Sequence, residues 1–390
     1  MSTSDAGPVL ITGVNGFIAR HLAEHLRARG VAVRGTVRRP DAAAGLDEDG
    51  IDVVRASLAD RDRLAEAAQG CRAIVHAAAW TGGPEVSPEA GYAVNVDGTA
   101  NVLAAARAAG VGRIVYLSSV AVYGLNRARL LDERASTPRV GQAYPDSKIV
   151  AEALVRESGL PYVIVRPAST YGPRGDAWTL GPIGTIRAGR LVLLGRDDGL
   201  VTPGYIDNVV GGLWLTLTEP AALGETFNLC DDRAVTYRQF YLAYAGMLGQ
   251  STLPTVPQPV AWLARLPAAR WARRALRRRA AGRWSQHFRF NPSQYSIAHA
   301  VERLGYAPKA GNLLVFAHEN REVSAIFVTG CRNVKIENVH MRHAPSMGVI
   351  IQATENIELQ NVTVLPGEGR IISANCDATH FVNCSGLVKI

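Results

Sequence analysis

The chain opens with a short apolar run, Pro8 to Ile11, that has the length and continuity of a buried strand. A helical run from Arg20 to Arg29 follows, and Val31 to Val37 makes a second strand. Farther on, Ile114 to Ser119 is strand-like, and the stretch around Ala143 to Glu152 is helical. Near residue 309 the pattern changes, because alanine- and arginine-rich helical stretches stop and asparagines become frequent. Alternating β-rich stretches then repeat at an offset of 23 residues. Asn333, Val334, Ile336, Asn338 and Val339 match Asn356, Ile357, Leu359, Asn361 and Val362. A period of this size belongs to solenoids whose coils stack to share one core.

Chemistry enters at the junctions of these elements. Between the first strand and the first helix lies Gly13-Val14-Asn15-Gly16-Phe17-Ile18-Ala19. Glycines there permit a tight turn and close approach of backbone to a pyrophosphate, and the helix start offers free N–H groups at its positive end. Ala19, where a third glycine often stands, still allows close helix–strand packing. In Ala143-Tyr144-Pro145-Asp146-Ser147-Lys148, a helix puts Tyr144 and Lys148 on one face. A free tyrosine titrates near pH 10, and a lysine cation one turn away is expected to favour the phenolate. Ser119, closing the strand-like run at 114–119, is placed to hold a substrate oxygen beside Tyr144.

Taken together, these residues resemble the extended short-chain dehydrogenase/reductase family. The matching pieces are T-G-V-N-G-F-I-A at 12–19, V-H-A-A-A at 75–79, N-V-D-G-T-A-N-V-L at 95–103 and Y-L-S-S-V-A-V-Y-G at 116–124. They continue with Y-P-D-S-K at 144–148, R-P-A-S-T-Y-G-P-R-G-D at 166–176, G-E-T-F-N-L at 224–229 and E-R-L-G-Y-A-P at 302–308. The resemblance covers about residues 6–308. It implies an α/β fold with a doubly wound, Rossmann-like parallel sheet: a dinucleotide-binding domain at 6–170 with strands returning around 200–230, and a smaller substrate-binding part at 171–308. It also implies that Tyr144 is the general acid/base, that Lys148 tunes it and binds the nicotinamide ribose, and that Ser119 orients the substrate oxygen. Asn95 either supports the active-site region or makes an ordinary hydrogen bond from a helix to a neighbouring strand. The cofactor is expected against Gly13, Asn15, Gly16, Phe17, Ile18, Arg38, Ser57, Leu58, Ala77, Ala78, Lys148 and Pro167.

Charge favours one cofactor over the other. The second strand runs into Arg38-Arg39 with no carboxylate at its tip. An arginine suits the 2′-phosphate of NADP, whereas a carboxylate would accept from the ribose hydroxyls of NAD. NADP is therefore expected, with NAD the alternative. Ser57-Leu58 stands where the family usually has Asp-Leu beside the adenine, a departure in that contact. Nucleotide-sugar epimerases tend to carry asparagine at the position of Ser169, so the chain looks more similar to the branch of 3β-hydroxysteroid dehydrogenases and dihydroflavonol-type reductases. Trp80, Tyr123, Ser169, Trp178 and Tyr205 are candidates for the substrate pocket, with ordinary packing the competing role of each aromatic. The reading is an NAD(P)-dependent oxidoreductase acting on a carbonyl or secondary alcohol. A nucleotide-sugar epimerase or dehydratase is the alternative.

Composition adds the setting. The chain has 390 residues and a net charge of +8, and its five cysteines show no metal-ligand spacing. No metal site is expected, and the absence of an N-terminal leader or a membrane-length apolar run points to a cytoplasmic protein. No acidic residue occurs between Asp232 and Glu302, while Arg265, Arg270, Arg273, Arg274, Arg277, Arg278, Arg279 and Arg283 gather there. A solvated helix, an anionic membrane surface met by 265–283, and a phosphorylated substrate all remain open for this run. Nucleic acid is not expected, since no nucleic-acid module accompanies the arginines. The expected partners are a small-molecule substrate and, as an option, a second copy in a homodimer.

Residues 310–390 resemble part of a right-handed parallel β-helix, and 342–348 and 377–381 look similar to β-helix α-1,3-galactosidases. Glycoside hydrolysis usually needs two placed carboxylates, and Asp377 has no evident partner. Carbohydrate hydrolysis by the tail is thus the second alternative function, and a fused or truncated module that docks without catalysis is the favoured account of it.

Overall fold

The computed structural model describes residues 7–308 except 40, 41, 43, 44, 47, 48, 83–85, 125, 127, 195–198 and 257–292, and beyond these the backbone of six strands between 326 and 389. The chain divides into two compact units. The first gathers residues up to Thr170, Thr202–Ala234 and Asn291–Pro308; the second gathers Tyr171–Val201, Val235–Phe290 and the remainder from Lys309.

In the first unit the chain runs β1 (Val9–Thr12), α1 (Phe17–Arg27), β2 (Val33–Val37), β3 (Asp52–Arg55), α2 (Arg61–Ala68), β4 (Ala73–His76), α3 (Pro88–Ala108) and β5 (Ile114–Leu117). After these come α4 (Ala143–Glu157), β6 (Tyr162–Pro167), α5 (Ile206–Thr218), β7 (Thr226–Leu229) and α6 (Ala298–Leu304). The seven strands form one parallel sheet in the order β7-β6-β5-β4-β1-β2-β3. Helices cover both faces of such a sheet, which is why its central strands β1, β4 and β5 are near-continuous apolar runs, whereas the edge strand β3 has charged, exposed ends. Leu10, Ile74, Ile114, Tyr116 and Ile164 pack in one core with residues of α2, α3 and α4. The residues between them, such as Ile11, Val75, Val115 and Val163, are fully buried and point the other way by strand alternation. There α1 and α5 pack on each other.

Local signals account for the helix starts. Asp60 accepts from the Arg63 N–H ahead of α2, and Ser87 accepts from the Ala90 N–H ahead of α3, whose first residue is Pro88. Winding reverses between β1 and β4, so the crevice outside the carboxyl ends of those two strands is where a doubly wound sheet takes its ligand.

In the second unit, Trp178, Tyr237, Phe240, Tyr241 and Tyr244 form a chain of tilted and edge-on ring contacts. Short strands pair Leu193–Leu194 with Thr255–Val256 and Leu200–Val201 with Val235–Thr236. Residues of the sequence repeat are register partners in parallel strands: Val334 with Ile357, Ile336 with Leu359, and Val339 with Val362. The strand Val349–Gln352 pairs in parallel with Ile326–Thr329 and with Thr379–Val382. The arginine cluster at 265–283, residues 343–348 and Asp377 lie outside the described residues. Among the described residues, no helix is long and apolar enough to cross a membrane, and no group of three or more His, Cys, Asp or Glu is placed to hold a metal ion.

Candidate active site

The amino end of α4 is fastened by its own sequence. Asp146 accepts from the N–H groups of Val140 and Gly141, which fixes how the preceding loop enters the helix. Tyr144 and Lys148 then stand one helical turn apart. The Lys148 side chain is buried at 3 % exposure; its Nζ donates to the Leu117 carbonyl at 2.7 Å and sits 4.8 Å from the centre of the Tyr116 ring. Ser119 follows β5, accepts from the Ala121 N–H at 3.1 Å, and shares a side-chain hydrogen bond with Tyr144. Serine, tyrosine and lysine are therefore brought together.

Their titration departs from the sequence expectation in one respect. Burial raises the Tyr144 phenol above its ordinary value, and the Ser119 hydrogen bond only partly offsets this. Lys148 was expected to draw the phenol down, but burial lowers Lys148 itself to about 7, against the opposing pull of Glu152. The Lys148 ammonium donates to the Leu117 carbonyl, and burial weighs on both groups, so in the protein alone desolvation decides the sign.

Asn95 joins two elements. Its side chain accepts from the Trp80 N–H at 2.7 Å and donates to the Trp80 carbonyl and to Ser147 Oγ, both at 2.9 Å. Ser147 Oγ in turn donates to the Tyr144 carbonyl at 2.7 Å. Asn95 thus ties the loop after β4 to the helix that carries Tyr144. The Trp80 ring packs on Gly91 of α3, where a Cβ would come within 2.1 Å of the indole. The indole N–H is buried and finds no partner among the described residues.

The glycine turn lies at the carboxyl end of β1. Gly13 has a φ of +64°, and a Cβ there would stand 2.9 Å from that of Ala78. Asn15 and Gly16 are exposed, Phe17 and Ile18 open α1, and α1 has neither a side-chain cap nor an acidic residue in its first turn. That open, positive helix end beside a turn with no room for a side chain has the geometry and charge that suit an anionic group such as a pyrophosphate. The other expected residues end neighbouring strands: Arg38 is exposed past β2, Ala77 and Ala78 follow β4, and Pro167 closes β6. Ser57 and Leu58 follow β3; the Ala59 N–H donates to Ser57 Oγ, and Asn101 donates to the Leu58 carbonyl.

The substrate candidates separate. Trp80 and Ser169 are half-buried in the first unit, Ser169 donating its N–H to the Thr202 carbonyl. Tyr123 is not on a lining: it is 1 % exposed, its hydroxyl donates to Asn228 Oδ1 and accepts from Arg166 Nη1. Tyr205 is buried as well. Trp178 belongs to the second unit, where it packs on Tyr237 and Phe240 and its carbonyl accepts from the Tyr244 hydroxyl.

Thr12, His76, Thr99, Ser147, Glu152 and Arg166 form a set of buried polar residues under the site that no local motif singles out. A polar residue ending an apolar strand, as Thr12 ends β1 and His76 ends β4, was the available signal.

Residues 9–230 match the family model described as the NAD dependent epimerase/dehydratase family. A ketoreductase from Stigmatella aurantiaca, acting on 4-hydroxy-2-methyl-3-oxo-4-farnesyl-3,4-dihydroquinoline-1-oxide, is 34% identical over 59% of this chain and 70% of its own. The 3 beta-hydroxysteroid dehydrogenase/Delta 5-->4-isomerase of Mycobacterium tuberculosis is 28% identical over 78% of this chain and 87% of its own. A short-chain dehydrogenase/reductase superfamily protein from Agrobacterium tumefaciens, solved with bound NAD, superposes with a TM-score of 0.60 at 24% identity, over 77% of this chain and 92% of that one. An alpha-1,3-galactosidase A from Shewanella woodyi is 43% identical over 85 residues, which are 21% of this chain and 14% of the galactosidase.

Proposed function

The chain belongs to the NAD dependent epimerase/dehydratase family, and on that premise we propose that it interconverts a ketone and a secondary alcohol on an apolar substrate, with NADP as its cofactor. The observation that carries this reading is the meeting of Ser119 and Tyr144 hydroxyls one turn from a buried Lys148, in the unit that also carries the glycine cradle. When bound, the nicotinamide supplies the hydride in one direction and takes it in the other.

In the reducing direction, Ser119 orients the carbonyl oxygen and the Tyr144 hydroxyl gives it a proton, leaving a phenolate. Burial makes the phenol a weaker acid in the protein alone, so its proton passes only as the carbonyl oxygen takes on charge from the arriving hydride and becomes the stronger base. Gly13, Asn15, Gly16, Phe17, Ile18, Arg38, Ser57, Leu58, Ala77, Ala78, Lys148 and Pro167 would hold the cofactor. Ser169, the ketoreductase relative and the 3 beta-hydroxysteroid dehydrogenase relative all favour an apolar ketone or alcohol over a nucleotide sugar. Among the described residues, Cys71 and Cys230 are buried free thiols, which suits a reducing, cytoplasmic setting. The galactosidase-like tail is assigned no hydrolysis, because it matches a seventh or less of that enzyme and only one of its carboxylates stood out in the sequence.

Purified protein should oxidise NADPH in the presence of steroid or quinoline ketones and release no stoichiometric NAD on denaturation. Stoichiometric NAD, with epimerisation and no net reduction, would replace this reading with the epimerase one. Cofactor choice has its own check. Arg38→Ala should raise the Kd for NADPH about tenfold or more, the worth of one charge-assisted hydrogen bond, and change that for NADH little. Equal losses for both would remove the NADP assignment.

A further inference from the structure

Beneath the glycine turn runs a buried chain of hydrogen bonds. Thr12 Oγ1 accepts from the Ala77 and Ala78 N–H groups, both at 3.1 Å, and lies 2.8 Å from His76 Nδ1. His76 Nε2 lies 3.1 Å from Thr99 Oγ1, which donates to the Asn95 carbonyl at 2.6 Å. The Asn95 side chain continues to Trp80 and to Ser147, and Ser147 reaches Tyr144. Thr12, His76, Thr99, Asn95 and Ser147 are all at most 2 % exposed.

Donor counting orders this chain. A hydroxyl has one proton and two lone pairs. Both lone pairs of Thr12 are taken by amides, so its proton goes to His76 Nδ1, and the imidazole must carry its own proton on Nε2 and give it to Thr99. The Thr99 proton then has the Asn95 carbonyl as its acceptor. Each donor has one acceptor, and a second proton on His76 would face the Thr12 proton. Burial and the Lys148 charge hold His76 far below its ordinary value, to about 3, consistent with that single state.

We propose that His76 is a positioning residue, which through the ordered chain Thr12–His76–Thr99–Asn95–Ser147 holds the loop from Ala77 to Trp80 and the amino end of α4 in one arrangement. The cofactor side and the Tyr144 side of the site are thereby set by the same buried imidazole. The proposal rests on the reading of those two sides given above. It differs from ordinary strand packing in a consequence: loosening the chain at Thr99, which is held in α3 and touches neither the glycine turn nor Tyr144 through any bond of its own, is felt at both ends.

Thr99→Val keeps the shape and removes the hydroxyl, and Thr99→Ser restores it. Hydrogen exchange of Thr99→Val should accelerate about fivefold or more in segments 76–80 and 143–148, while β7 stays unchanged, and the Kd for NADPH should rise by a similar factor. Thr99→Ser should return all three to near wild type. Acceleration confined to residues around 99, or of one size everywhere including β7, would overturn the proposal. Wild-type protein that bound neither dinucleotide, yet showed the two-segment exchange pattern in Thr99→Val, would sink the cofactor reading and leave the positioning chain standing.

Discussion

Tyr144→Phe should lower turnover of a ketone substrate by about a hundred- to ten-thousand-fold, the usual worth of a positioned general acid. The phenyl ring fills the same space, so the half-buried ring keeps its packing while Ser119 loses its hydrogen-bond partner. The Lys148 contact with the Leu117 carbonyl and the glycine turn are untouched. Dissociation constants for NADPH and NADH should therefore stay within about twofold of wild type, since the removed proton acts only as the oxygen gains charge. Steady-state rates with cofactor titration by fluorescence separate the two effects. Turnover retained within an order of magnitude would show that another group delivers the proton.

Arg166→Leu should cost about 3 kcal/mol of folding stability at pH 8, the lower end of the range for breaking a buried ion pair. Arg166 makes a two-pronged contact with Glu152, Nε to Oε1 at 2.9 Å and Nη2 to Oε2 at 2.7 Å, and both side chains are nearly inaccessible. The lower end applies because Arg156, half exposed, still reaches Glu152 Oε2 at 2.8 Å. Burial pushes the Glu152 carboxyl up, but its bonds to Arg166 outweigh that, and it ends below the usual carboxylate range. The wild-type pair therefore contributes fully above the unfolded carboxylate value of about 4.3, and the contribution fades as pH falls through the lower folded value. In Arg166→Leu the sign reverses. An under-paired buried carboxylate prefers its proton, so the deficit is largest at high pH and shrinks toward pH 5. Denaturant titrations of single and double variants test this: Arg166→Leu with Glu152→Leu should recover much of the loss, because two apolar groups leave no stranded charge. A single-variant loss under about 1 kcal/mol, flat with pH, would contradict it.

The same cluster marks what was hidden in the sequence. Arg166 and Tyr123 both fell inside motifs, yet nothing local says that the Tyr123 ring lies under the Arg166 guanidinium instead of facing a ligand. Aromatic side chains serve cores and pockets alike, and only the fold separates the two uses. The 23-residue offset, by contrast, was open to reading, because parallel strands at constant register align matching residues of successive repeats.

By itself the sequence determined the elements and pairs that depend on short spacing. Short apolar-rich runs marked β1, β2 and β5, the glycine turn placed a helix after it, though α1 begins at Phe17 rather than Arg20, and helical periodicity put Tyr144 one turn from Lys148. Tertiary structure decided the rest. It joined Thr12 to His76 across 64 residues and Asn95 to Ser147 across 52, contacts that exist only because the sheet order sets β1 beside β4 and α3 beside α4. It also set the direction of the Tyr144 and Lys148 titrations, since desolvation depends on everything packed around a group and on nothing in its sequence neighbourhood alone.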